Sequence, residues 1–157
     1  MTATPPALPL ADLYAADEVA WYDRMAALAR AGRADALDLP HLAEELDLMS
    51  LSERREVKSR LETLVCHRLK WDHQPAKRSV SWLVTIGREA RVLADTFAAS
   101  RTLRNHATAI LDAAYRGAVG DAAKETRLPR STFPADCPYT LTDLTTEVAA
   151  DPADLPD

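Results

Sequence analysis

Glu53, Arg60 and His67 stand seven residues apart, in a stretch with no proline or glycine between Pro40 and Pro75. A carboxylate, a permanent cation and an imidazole are the types from which acid–base catalysis or anion binding is built. At about 100° per residue, a seven-residue step nearly closes two turns, so the three side chains stack along one line of a helix. That geometry also limits them. At about 1.5 Å of rise per residue, Glu53 and Arg60 are about 10.5 Å apart along the axis, and Glu53 and His67 about 21 Å. They cannot share a metal ion or form an acid–base pair without side chains from other helices. Glu45 lies at the edge of the same line and Arg78 follows beyond its end. Glu45, Glu53, Arg60, His67 and Arg78 therefore form the candidate polar site, with Glu45, Glu53 and His67 as acid or base and Arg60 and Arg78 holding an anion. Arg88, Glu89, Arg91 and His106 are the candidates to join them. Trp71 and Trp82, on either side of Gln74-Pro75 and Arg78, form a candidate aromatic platform on which bases could stack while arginines meet phosphates. Their plainer role is to clamp the turn as hydrophobic anchors.

Other chemistry is poorly supported. The histidines are His41, His67, His73 and His106, and neither His-x-x-x-His nor Glu-x-x-His occurs, so no metal site is expected. Asp38 and His41 have i, i+3 spacing, but Asp38 reads more simply as a helix cap. Cys66 reads as an inert core thiol; Cys137, among loop residues, lacks an activating base. There is no Gly-rich phosphate loop, Walker-type motif or Gly-x-Ser-x-Gly elbow. No cofactor is expected, no catalytic residue can be assigned, and the balance leans away from an enzyme.

The elements that must position these residues read as helices. Alanine and leucine abound and only four glycines occur in 157 residues, which favours helix because glycine loses most on entering one. Pro5, Pro6 and Pro9 predict an extended lead-in over 1–11. Asp12 or Asp17 caps a first helix to about Arg30, with Val19, Trp21, Tyr22, Met25 and Leu28 inward and Gly32 ending it. Pro40 opens a long central helix over about 39–71, with a possible bend at Ser50–Glu53, and His73-Gln74-Pro75 breaks it. Leu42, Leu46, Met49, Val57 and Leu64 fall within about 60° of one another's line and predict its buried stripe. Ser79 caps a third helix to about Ala98, and Ser100 a fourth that fades near Glu125. Prolines then forbid a continuous helix until Thr140 caps a short last one through about Val148. The expected fold is all-α: a bundle of four main helices with a long central helix and a short C-terminal one, forming one domain over 12–148. A loose acidic tail over 149–157 follows.

Net charge is −5, yet Arg54–Arg104 carries twelve Lys and Arg against five Asp and Glu. Such a basic centre can attract an anion or nucleic acid, or can be neutralised by the chain's own acids. The acidic total and the lack of a helix-turn-helix signature weigh against nucleic acid. No apolar run of about 18 residues predicts a membrane span, and Met1–Pro9 does not read as a signal peptide. With two distant cysteines, a soluble, reduced, cytoplasmic protein is expected.

Several segments carry a resemblance in order along the chain. Leu42-Ala43-Glu44-Glu45-Leu46, Ser52-Glu53-Arg54-Arg55, Ser59-Arg60-Leu61, His67-Arg68-Leu69-Lys70-Trp71, Gln74-Pro75, Arg78, Ser81-Trp82 and Thr85-Ile86 resemble the domain-of-unknown-function family 29. Thr126-Arg127-Leu128-Pro129, Phe133-Pro134 and Cys137-Pro138-Tyr139-Thr140 resemble that family's ending. Ser50-Leu51 departs from it, where the family commonly has glycine and a polar residue. The resemblance implies a small bacterial helical protein and supplies no activity, substrate or catalytic residue.

The function therefore stays open between three readings. The favoured one is a non-enzymatic interaction or regulatory protein whose charged line is a buried network or a subunit interface, acting as a homo-oligomer or on a protein partner. The alternative is an enzyme or small-anion binder with an open Glu/Arg/His cleft; the third is nucleic-acid binding through the basic centre.

Overall fold

The computed structural model describes residues 8–148 and Leu155, so the acidic tail expected over 149–157 lies, Leu155 apart, outside the described residues. Those residues form six α-helices and no strand: α1 (Leu10–Ala16), α2 (Glu18–Arg30), α3 (Leu39–His73), α4 (Val80–Ala99), α5 (Arg101–Thr126) and α6 (Leu141–Thr145). The fold is all-α with a long central helix of 35 residues. Among the described residues no helix is long and apolar enough to cross a membrane. The chain divides into two compact units, one ending at Leu51 and the other beginning at Ser52.

The first unit holds α1, α2 and the start of α3. Asp17 both ends α1 and caps α2, its carboxylate accepting from the Ala20 N–H at 3.0 Å. The single helix expected up to Arg30 is therefore two, because an aspartate with extended backbone stops one helix and starts the next. Gly32, at φ +68°, ends α2 in the left-handed conformation that favours glycine. Trp21 and Met25 are buried as expected, but Val19 and Tyr22, also expected inside, are exposed. So short a helix covers only one narrow face.

The second unit packs the rest of α3 with α4, α5 and α6. Ser100 closes α4 through its N–H to the Thr96 carbonyl and opens α5 by accepting from the Leu103 N–H; Ser79 caps α4 and a Thr140–Asp143 capping box starts α6. Leu61, Leu64, Val65 and Leu69 of α3 join Ile86, Ala90 and Leu93 of α4, Ala107, Ala114, Tyr115 and Ala118 of α5, and Leu144 of α6 in one apolar core. Each buried leucine or isoleucine contributes about 1.5–3 kcal/mol. Alanines on α5 provide a flat face for the larger side chains opposite. The C-terminal segment is pinned by hydrogen bonds from the Tyr115 hydroxyl to the Pro134 carbonyl and from the Tyr139 hydroxyl to Asp72, both 2.6 Å.

The expected stripe of α3 is only half right. Val57 and Leu64 are buried, but Leu46 and Met49 are 58% and 64% exposed. The buried residues of the later half, Val57, Leu61, Leu64, Val65 and Leu69, centre about 100° around the helix from Leu42. Periodicity locates apolar residues; which of them are covered depends on where the other helices lie.

Candidate functional site

The five candidate polar residues do not converge. Glu45 belongs to the first unit and is 7% exposed; Glu53, Arg60, His67 and Arg78 belong to the second. Glu53 is exposed and makes no hydrogen bond or ion pair among the described residues. Arg60 is half-buried and bonds Glu89 at 2.8 Å and Glu56 at 2.7 Å. His67 donates its Nδ1 proton to the Thr63 carbonyl one turn back, at 2.9 Å, because a carbonyl can only accept. Arg78 donates Nε–H to the Trp71 carbonyl at 3.0 Å and lies 4.8 Å over the Trp71 ring.

Glu89, which sequence spacing could name only as a possible helper, is the centre of the charged cluster in the second unit. Its side chain is 5% exposed and receives Arg60 on one oxygen and Arg88 on the other, at 2.8 and 2.9 Å. A buried carboxylate is tolerated because both oxygens are met by guanidinium groups. Hydrogen bonding to Glu89 in turn raises the Arg60 pKa. Lys70 is handled in the same way. It is 6% exposed, bonds Glu125 at 2.6 Å, and sits 4.6 Å from the Trp82 ring centre. The platform tryptophans thus each carry one of the chain's own cations.

His67 lines an open cavity of about 310 Å³ with Cys66, Glu62, Asp121 and Glu125. Burial pushes the Cys66 thiol up to about 11, so it is neutral and unreactive near pH 7. Glu125 is engaged by Lys70 and Glu62 by Lys58. Among the described residues no three His, Cys, Asp or Glu converge to hold a metal ion. This cavity offers one basic ring nitrogen and acids, with no cation to hold a substrate's developing negative charge.

A second polar cluster lies in the first unit, and of its members the sequence indicates Glu45, Asp38 and His41 but not Tyr14, Tyr22 or Trp21 as their partners. The Tyr14 hydroxyl donates to one oxygen of Glu45 at 2.6 Å, and the Tyr22 hydroxyl donates to the other. These bonds, Tyr14 first, hold the Glu45 carboxyl below the usual range, and the bond to Glu45 pushes Tyr14 up to about 12. Asp38 accepts from the Trp21 indole N–H at 3.2 Å and from His41 Nδ1–H at 2.7 Å. Burial disfavours its ionised form, yet the bonds from His41 and Trp21 prevail and its pKa is lowered. Tyr14 stacks on His41 with ring centres 4.2 Å apart and meets Trp21 edge-on at 5.0 Å. An oriented histidine beside a carboxylate resembles part of a catalytic triad, but here the rings pack on one another. The i, i+3 spacing of Asp38 and His41 was the available signal.

The fold and these clusters define an all-α protein in which the buried charged residues Glu45, Lys70 and Glu89 are met from within the chain. The chain belongs to the family described as Domain of unknown function DUF29, whose model matches residues 13–148. No curated protein matches it. No solved structure matches it either.

Proposed function

We propose that the protein is a non-enzymatic interaction protein that pairs with a second copy of itself through the start of α3. The observation that carries this reading is the exposed apolar line there: Leu39, Leu46 and Met49 are 59%, 58% and 64% exposed, and Leu42 between them is half-buried. Their steps of three, four and three residues are the same read in either direction. A second α3 running antiparallel therefore sets Leu39 against Met49 and Leu42 against Leu46, apolar on apolar. Such a contact is isologous and closes at two chains. Glu44 and Asp47 fall about 140–160° around the helix from Leu42 and so point away from the seam, and Glu45 at its edge already accepts from Tyr14 and Tyr22. The internal pairing of Arg60, Glu89, Lys70 and Glu45 supports the same reading, since each cation or acid already has its partner.

Sedimentation equilibrium on the wild type and on Leu46→Glu and Met49→Glu tests it. The expected result is a dimer at about 0.1 mM chain, with both variants monomeric at unchanged helix content. A wild type that stays monomeric, or variants that dimerise as well as it does, overturns the reading.

A further inference from the structure

A second feature lies apart from α3. The face of α5 and the turn after Pro129 enclose an open groove of about 570 Å³, within the range of small-molecule sites. Tyr115, Val119, Phe133 and Pro134 make its apolar wall, and Arg116 and Arg130 line it as well. The wall is fixed: Phe133 is 4% exposed and the Tyr115 hydroxyl is already bound to the Pro134 carbonyl.

Among the described residues neither the Arg116 nor the Arg130 guanidinium has an ion pair or hydrogen bond, so both are open to a ligand. Both guanidinium groups are solvent-exposed and stand on one apolar groove, where they give an otherwise acidic chain a local positive charge. Gly120 explains how one of them is placed. It is buried, and a Cβ there would stand 2.9 Å from Arg130 Nη2. The missing side chain lets the guanidinium lie against α5.

We propose that this groove binds a small organic anion, a carboxylate or phosphate ester on an apolar body. The body lies on Val119, Phe133 and Pro134; the head is held by Arg116 and Arg130, whose planar donor forks suit either oxyanion. An apolar wall lined by two cations selects for the combination, since neither part alone uses both features.

Isothermal titration calorimetry with octanoate, octyl phosphate and octanol tests this. The expected result is one site per chain for octanoate or octyl phosphate, with the tighter of the two identifying the head group, and octanol weaker by about tenfold or more. Arg130→Ala and Arg116→Ala each weaken anion binding by about tenfold. Gly120→Ala keeps the fold, because alanine is the better helix former and the clashing atom ends a flexible side chain; it weakens binding by displacing Arg130. Leu46→Glu leaves binding unchanged, which separates this proposal from the self-association above. Anions that bind no tighter than octanol, or Arg116→Ala, Arg130→Ala and Gly120→Ala variants that all bind as the wild type does, overturn it.

Discussion

The two units solve the same problem in different ways. The unit beginning at Ser52 buries a broad apolar core and keeps its charges at the edge of that core, paired as Arg60–Glu89–Arg88 and Lys70–Glu125. The unit ending at Leu51 buries few large apolar side chains, chiefly Trp21 and Met25, and relies on hydrogen bonds from rings to two carboxylates, Asp38 and Glu45. Apolar burial is nondirectional and tolerates change, whereas a polar cluster holds only while every member keeps its partner. The first unit is accordingly the one that a single substitution or a change of pH should undo.

Trp21→Ala is the harshest way to break that contrast. It removes the largest buried side chain of the first unit and one donor to Asp38, and should cost about 4 kcal/mol. Amide hydrogen exchange should show α1 and α2 losing protection while α4 and α5 keep theirs; equal loss in all four would mean that the two units are one. In the second unit Glu89→Ala should cost about 2 kcal/mol, because it removes charge-assisted bonds from Arg60 and Arg88, though Arg60 keeps Glu56. Chemical denaturation measures it, and a change under about 0.5 kcal/mol, as at an ordinary surface site, would show that the cluster is ornamental.

Acid and base should sharpen the comparison. Asp38 and Glu45 titrate below the usual range in the fold, so their contribution is present above about pH 4 and is lost as pH falls through their lowered values. Tyr14 is raised to about 12, so its contribution is complete below about pH 10 and is lost as pH rises through about 12. The carbon-bound ring proton resonances of Trp21 should therefore shift at both extremes before the methyl resonances of α4 and α5 do. In the second unit α6 should share the acid response, through its capping Asp143, whose pKa the Thr140 bonds also lower. The smallest effect is expected at Arg127, which ends α5 at φ 61°. Arg127→Gly should stabilise the second unit by up to about 1 kcal/mol, seen as a higher melting midpoint.

What could be read in the sequence follows from what is local. Ser79, Ser100 and Thr140 cap helices because a hydroxyl reaches an N–H three residues on, within one turn. The break at Gln74-Pro75 is local too. The buried side of α3 is not: Leu46 and Leu64 look alike in the helical pattern, yet one is exposed and the other fully buried. Glu45 was named for its position on α3, but its tyrosines stand 31 and 23 residues away, so its partners could not be deduced. The spacing of Arg60 on α3 shows only that it shares a line with Glu53 and His67; its acid, Glu89, lies on another helix and cannot be read from that spacing.

Self-association stands most directly on the exposed line at the start of α3, and a nitroxide label at the exposed Asp47→Cys, outside the seam, tests it, with Cys137→Ser removing the more accessible thiol. Antiparallel pairing centred near residue 44 predicts a distance of about 20 Å between labels on two chains, from about 9 Å along the axis and side chains directed away from helices about 9 Å apart. Dipolar spectroscopy should show that distance, and Leu46→Glu should abolish it. A spectrum with no defined distance between chains would contradict the account.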